Sequence, residues 1–311
     1  MAKPRIIFMG TPDFAVPALT TLATRSDIDI VLVVTQPDRP SGRGKKLAPP
    51  PVKQAAATLG LPLLQTDSLR HAEAKKQIIG AQPDLIVVAA FGMILGKWIL
   101  ELPRLGCVNL HASLLPKFRG ASPISAAIAA GEEVTGVTLM QMDHGLDTGA
   151  MLDTISVAID PEDTTESLTP KLARAASDLL HARLDDLLAG RINPVPQPEG
   201  ASETQQLHKD DGRINWERPA NEIERHIRAM WPWPRAWTTL PNGERMQIHR
   251  ATVDPEQVLP PGKIEVQGRV VVIGTGEGAL HLVGVQLPGG KPIERHAIAQ
   301  RLQVFADKHL T

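Results

Sequence analysis

The sequence predicts an α/β chain in two parts: a Rossmann-like domain with a mostly parallel sheet over residues 1–189, then, past a linker at 190–208, a small OB-like β-barrel over residues 209–311. Three observations predict it. Apolar strand runs alternate with helical stretches through the first half, the pattern of a parallel sheet covered by helices on both faces. A Pro-rich stretch without apolar periodicity follows. Beyond it come short apolar runs at close spacing, broken by Pro and Gly, as in a small antiparallel barrel.

Taken in order, Arg5 to Met9 reads as a first strand, Phe14 to Arg25 as a helix and Ile28 to Thr35 as a second strand, a β-α-β opening. Helical patterns at Val52 to Leu59 and Leu69 to Ile79 precede a buried strand at Asp84 to Ala89, and another strand lies at Gly136 to Met140. From Glu166 to Leu188 apolar residues recur at helical spacing, with Gly190 as the stop. Residues 191–206, holding Pro194, Pro196, Pro198 and Gly200, read as extended linker. The second part offers a helix at Ala220 to Ala229, four tryptophans (Trp216, Trp231, Trp233, Trp237) and strands at Met246 to His249, Val270 to Ile273 and Ala279 to Val283.

Composition narrows the function classes. With 42% apolar and 22% charged residues the chain is neither disordered nor fibrous. The apolar run Ile6 to Met9 is far too short for an export signal or a membrane span, and the single cysteine, Cys107, forms no internal disulfide, so a cytoplasmic chain without a membrane partner is expected; a monomer is the separate working expectation. Cys107 itself reads as a small buried hydrophobe. A net charge of -1 gives no global attraction to nucleic acid, so a polyanion must be met by local patches.

Five segments bear on chemistry. Gly10-Thr11-Pro12 stands where a dinucleotide enzyme shows G-x-G-x-x-G, but carries only one of those glycines, which argues against an NAD site. Gly274 to Gly278 lies between two short β runs and reads as a hairpin turn rather than a phosphate cradle. In Asn109-Leu110-His111, two polar side chains two residues apart project from one face of a strand end. Asp143 to Gly149 follows the next strand, and in a parallel sheet it comes beside the end of the Asn109 strand, where open α/β sheets bind ligands. Gln36 to Leu47 packs Arg39, Arg43, Lys45 and Lys46 into a Pro- and Gly-rich loop, suited to a basic flap over phosphates. The dispersed histidines have no metal-ligand spacing, and no metal is expected.

These segments together resemble the methionyl-tRNA formyltransferase family. The likeness is carried by Met9 to Pro17, the Gln36 to Leu47 loop, Asn109 to Pro116 with Phe118-Arg119-Gly120, and His144 to Gly149. It continues past the linker in Gly212 to Trp216 and Trp231-Pro232-Trp233-Pro234, so it runs in order along essentially the whole chain. The Asn-x-His signature with a downstream Asp implies formyl transfer to an amine; the opening segment, the basic loop and the Trp-containing second domain imply initiator methionyl-tRNA as the acceptor. The resemblance implies 10-formyltetrahydrofolate as cosubstrate and Asn109, His111 and Asp147 as catalytic residues. It places Ser113, Leu114, Leu115 and Pro116 against the folate, and Phe91, Gly92 and Ile94 in the pterin pocket. Arg39, Arg43, Lys45 and Lys46 become tRNA contacts. Family members carry a lysine, often with an aromatic residue, just before the second domain; here Thr204 to His208 stand there, and part of that role passes to Lys209. Competing readings are another folate-dependent formyltransferase or a formyl-folate hydrolase, a non-catalytic RNA-binding module and an NAD oxidoreductase.

Overall fold

The computed structural model describes residues 2–41 and 46–311. The chain divides into two compact units, one of Met1–Pro123, Val134–Ala158 and Thr169–Thr204, the other of Ile124–Glu133, Ile159–Leu168 and Gln205–Thr311.

The first unit opens with β1 (Arg5–Gly10), α1 (Val16–Ala23) and β2 (Asp29–Thr35), continues through a small hairpin of β3 (Arg39–Ser41) and β4 (Lys46–Ala48), and then α2 (Pro51–Thr58), β5 (Leu63–Gln65), α3 (Ala72–Gly80) and β6 (Leu85–Ala89). After α4 (Lys97–Leu100) come β7 (Cys107–His111), the two-residue β8 (Arg119–Gly120), β9 (Val134–Gln141), β10 (Met151–Ala158), α6 (Thr165–Leu188) from Thr169 onward and β11 (Glu203–Thr204); α5 (Pro123–Ala130), past its first residue, and the first turn of α6 belong to the second unit. Seven strands form one sheet in the order β10-β9-β7-β6-β1-β2-β5. The run β5-β2-β1-β6-β7 is parallel throughout. Its middle strands are apolar and buried on both faces (Ile6 to Met9 and Leu85 to Val87 at 0% exposure), which is why they read as unbroken hydrophobic runs. The chain turns from β5 back to β6 on the far side of β1, so the strand order reverses between β1 and β6, the place where such sheets open a ligand crevice. Helix α1 docks on α6 through Thr21 and Ser177, whose hydroxyls lie 2.6 Å apart, and through Arg25 on Asp185 at 2.5 Å.

One expectation about this sheet is corrected. Strand β9 runs antiparallel to β7, with Asn109 opposite Met140 and His111 opposite Thr138, and β10 returns antiparallel to β9. Only the loop at 142–150 joins β9 to β10, with no helical crossover, so the pair forms a hairpin. The Asp143 to Gly149 loop therefore leaves β9 beside the start of β7 and folds back along it to reach Asn109.

The stretch read as a linker is extended but not free. Val195 and Met151 exchange both backbone hydrogen bonds at 2.8 Å, and β11 pairs in parallel with β8.

In the second unit α7 (Ala220–Ala229) is followed by β12 (Ala236–Thr239), β13 (Arg245–Asp254), β14 (Ile264–Gln267), β15 (Val270–Gly274), β16 (Ala279–Gln286), β17 (Pro292–Glu294) and α8 (Arg295–Leu302). The antiparallel path is β12-β13-β16-β15-β14, with β17 on β16. Residues 307–311 bridge its two ends. Asp307, Lys308 and Leu310 bond to Ile264 and Gly262 beside β14, and Thr311 exchanges both bonds with Thr239 of β12, closing the sheet into a barrel. Met246, Ile248, Ile264, Val272, Ile273, Leu280 and Val285 on these strands are buried. The Gly274 to Gly278 segment is the β15–β16 turn, with the Thr275 hydroxyl donating to the carbonyls of Glu277 and Gly278 at 2.7 and 2.8 Å.

Candidate active site

Alternation along β7 sends Val108 and Leu110 to one face of the sheet and Asn109 and His111 to the other. Both polar residues are buried, at 9% and 5% exposure. The folded-back loop brings Asp147 to them. Its shape comes from Asp143, which accepts from the Gly145 N–H at 3.0 Å and the Thr148 hydroxyl at 2.7 Å, an Asx turn. Asp147 itself lies in left-handed backbone (φ 51°), a conformation Asp tolerates better than most residues.

The Asp147 carboxylate is shared three ways. Oδ1 accepts from Asn109 Nδ2 at 3.4 Å, and Oδ2 accepts from the Gly120 N–H at 2.8 Å and lies 3.5 Å from His111 Nδ1. The other ring nitrogen of His111, Nε2, is 2.9 Å from the Phe118 carbonyl oxygen. Because a carbonyl only accepts, Nε2 carries a proton, and Nδ1 is the nitrogen that faces the carboxylate. Asn109 uses one amide hydrogen on Asp147 and keeps the second for another partner.

Other predicted site residues are placed as follows. Ser113 is fully buried; its hydroxyl donates to the Lys117 carbonyl at 2.6 Å and its carbonyl accepts from the Thr138 hydroxyl at 2.8 Å, so its polar groups hold the turn together. Leu115 is buried, and its N–H donates to Thr138 Oγ1 at 3.0 Å; Leu114 and Pro116 are half-buried. Phe91 packs in the core cluster with Met9, Val34 and Leu95, and its carbonyl accepts from the Thr11 hydroxyl at 3.1 Å and from Gln36 Nε2 at 2.9 Å. What that loop exposes is Gly92 and Ile94, the latter at 88%. Arg39 and Lys46 are exposed on the β3–β4 hairpin, while Arg43 and Lys45 lie outside the described residues. Behind the hairpin, the Asp38 carboxylate is held by Lys53 Nζ at 2.7 Å and Gln65 Nε2 at 2.8 Å, contacts that keep its pKa below the usual carboxylate range. Lys209 is exposed, and its carbonyl accepts from Trp237 Nε1 at 3.0 Å. Burial alone pushes the Cys107 thiol up to about 12, as suits a packing residue.

Comparison with known proteins shows which family the chain belongs to. The Formyl transferase family model matches residues 4–184, and the Formyl transferase, C-terminal domain model matches residues 206–303. The methionyl-tRNA formyltransferase of Stutzerimonas stutzeri (strain A1501) is 46% identical over 295 residues, covering 94% of this chain and 93% of that protein. The chain belongs to the methionyl-tRNA formyltransferase family. Solved structures with the same fold include an N-formyltransferase from Helicobacter canadensis in complex with folinic acid and dTDP-3-aminofucose, at TM-score 0.65 and 19% identity, covering 90% of this chain and 99% of that one. HypX from Aquifex aeolicus in complex with tetrahydrofolic acid superposes at TM-score 0.63 and 16% identity, covering 99% of this chain; the chain spans about half the length of HypX.

Three groups around Asn109, His111 and Asp147 were not legible in the sequence. The Phe118 carbonyl and the Gly120 N–H act through backbone atoms, which no residue type advertises, although Gly120 has φ 101° and Phe118 φ 60°. Gln197 stands in the Pro-rich stretch, yet its Nε2 donates to the Asp147 carbonyl at 2.7 Å and the Gly149 carbonyl at 2.8 Å. Its neighbours Pro196, Pro198, Glu199 and Gly200 give no sequence signal that singles it out.

Proposed function

We propose that this chain transfers the formyl group of 10-formyltetrahydrofolate to the free amine of initiator methionyl-tRNA, with Asn109, His111 and Asp147 at the reacting atoms. The single observation that carries the assignment is the Asp147 carboxylate shared between the Asn109 amide, the His111 ring and the Gly120 N–H.

The neutral amine attacks the formyl carbon; an N–C bond forms and the carbonyl oxygen takes the negative charge. The uncommitted amide hydrogen of Asn109 donates to that oxyanion, a contribution on the order of 3 kcal/mol in other acyl transfers. Asp147 receives the proton the attacking nitrogen sheds, directly or through water. His111, held by the Phe118 carbonyl, presents Nδ1 to the same carboxylate, and a proton there stabilises the anionic intermediate. Collapse breaks the bond to the folate nitrogen, which leaves with a proton, giving formyl-methionyl-tRNA and tetrahydrofolate. The formyl donor lies in the crevice where the strand order reverses, against Leu114, Leu115 and Pro116 on one side and the Gly92 to Ile94 loop on the other. Because the Ser113 hydroxyl is spent on Lys117, its part is to shape that turn. The exposed cations Arg39, Lys46 and Lys209 meet tRNA phosphates.

The test is a formylation assay with purified chain, 10-formyltetrahydrofolate, and charged initiator and elongator methionyl-tRNA. Formylation of the initiator in strong preference to the elongator is expected. Formylation of amino sugars with neither tRNA modified contradicts the proposal.

A further inference from the structure

We infer that Gln197 is a positioning residue for the Asp147 carboxylate, so that the segment carrying it is a working part of the candidate active site. This rests on the formyl-transfer reading above.

A closed ring of hydrogen bonds supports it. Gln197 Nε2 donates to the carbonyls of Asp147 and Gly149 at 2.7 and 2.8 Å, and Gln197 Oε1 accepts from Arg119 Nε and Nη2 at 3.0 and 2.8 Å. Arg119 is followed by Gly120, whose N–H donates to Asp147 Oδ2 at 2.8 Å. The path thus leaves Asp147 by its carboxylate and returns to it by its own carbonyl. Both amide hydrogens of Gln197 and both lone pairs of its oxygen are used, the full capacity of the group. Ala offers none of these bonds, and Glu keeps the Arg119 contact but has no N–H for the two carbonyls.

The segment is anchored independently on either side of Gln197. Val195 pairs with Met151, the Phe118 N–H donates to Ser202 Oγ at 2.8 Å, the Arg119 N–H donates to the Ser202 carbonyl at 2.8 Å, and Thr204 Oγ1 donates to the Arg119 carbonyl at 2.9 Å. Loss of the Gln197 side chain therefore leaves the segment in place and releases chiefly the Asp147 backbone. That backbone is held at φ 51°, a costly conformation that persists only while its surroundings fix it. The long contacts from the carboxylate to Asn109 and His111, at 3.4 and 3.5 Å, are the first to go when it relaxes. A misplacement of about 1 Å at a reacting group is enough to cost about a hundredfold in rate.

The experiment measures formylation by the full chain and by Gln197→Ala, Gln197→Glu and Arg119→Gln, across pH and with rates normalised to folded enzyme, beside Asp147→Asn as control. For both Gln197 variants kcat is expected to fall about ten- to a hundredfold, with KM for methionyl-tRNA within about twofold of the parent and a displaced pH–rate profile for kcat. Arg119→Gln, which opens the ring at its other end, shows the same pattern to a smaller degree. An unchanged kcat and pH profile in the folded variants, or an effect confined to thermal stability or KM, overturns the positioning role. If Asp147→Asn retains the parent kcat, the site reading itself fails. If Asp147→Asn is inactive while the Gln197 variants match the parent, only the role of Gln197 fails.

Discussion

Replacing Gly120 with Ala tests how tightly the active-site carboxylate is bound to the fold. A Cβ at this position overlaps the Thr204 carbonyl oxygen and comes to 3.2 Å from Thr204 Oγ1, and the backbone sits at φ 101°, which side-chain-bearing residues rarely adopt. Holding an Ala there costs about 1–3 kcal/mol in backbone strain. Relieving the overlap means separating β8 from β11. That breaks the bond from the Ala121 N–H to Thr204 and the bond from Thr204 Oγ1 to the Arg119 carbonyl, worth about 1 kcal/mol each, and loosens the charge-assisted bond from the Gly120 N–H to Asp147, worth about 1.5–3 kcal/mol. The sum is on the order of 4 kcal/mol or more, lowering the melting temperature of the first unit by about 10 °C. Because the carboxylate moves with the broken bonds, kcat for formyl transfer falls by about a hundredfold in the fraction that stays folded. Differential scanning calorimetry and steady-state formylation measure the two effects. A variant that melts within about 2 °C of the parent and retains more than half its kcat refutes the reasoning.

Three further expectations follow from particular contacts. Cys107, buried and with its thiol pushed up to about 12, does not react with a thiol-specific disulfide reagent in the native chain and reacts fully once denaturant is added; prompt native labelling contradicts its placement in the core. Burial, aided by the positive charge of Arg235, pulls the His249 imidazole down to about 4, so the unfolded ring takes up a proton below about 6.5 while the folded ring stays neutral. Stability is therefore lost as pH falls from about 6.5 to about 4 and levels off below. The full shift is worth about 3 kcal/mol, and about 1–2 kcal/mol for a half-buried ring; His249→Leu should flatten the dependence of the melting temperature in that window. Replacing Arg39 and Lys46 with Ala raises KM for methionyl-tRNA and flattens its salt dependence, the logarithmic slope falling by roughly one for each phosphate no longer neutralised, whereas an unchanged salt slope makes that hairpin ordinary surface.

The parallel part of the sheet was legible because its strands carry the signal: Ile6 to Met9 and Leu85 to Ala89 are continuous apolar runs, and only a doubly covered sheet buries such runs whole. The helix at Ala220–Ala229 was equally plain, since its buried residues Ala220, Ile223 and Ile227 fall at helical spacing. The direction of β9 was not legible. Side-chain alternation is the same for parallel and antiparallel neighbours, and the next strand, Met151–Ala158, is an edge strand with no fully buried residue and so lacks the apolar run that marks the inner strands. Barrel closure was hidden for a different reason: residues 307–311 act through backbone bonds that their side chains do not announce. Within the site, Asn109 and His111 were marked by strand spacing, and Asp147 by its Gly-rich loop. Gln197, Phe118 and Gly120 were missed because their part depends on long-range backbone pairing between residues 118–122 and 202–204.

The central claim is that Asn109 and Asp147 act on the reacting atoms, and single-turnover formyl transfer to initiator methionyl-tRNA tests it most directly. With saturating formyl donor, folded Asn109→Ala and Asp147→Asn are each predicted to transfer at least about a hundredfold more slowly than the parent, while binding the tRNA with unchanged affinity. Transfer at near-parental rate by either folded variant contradicts the account.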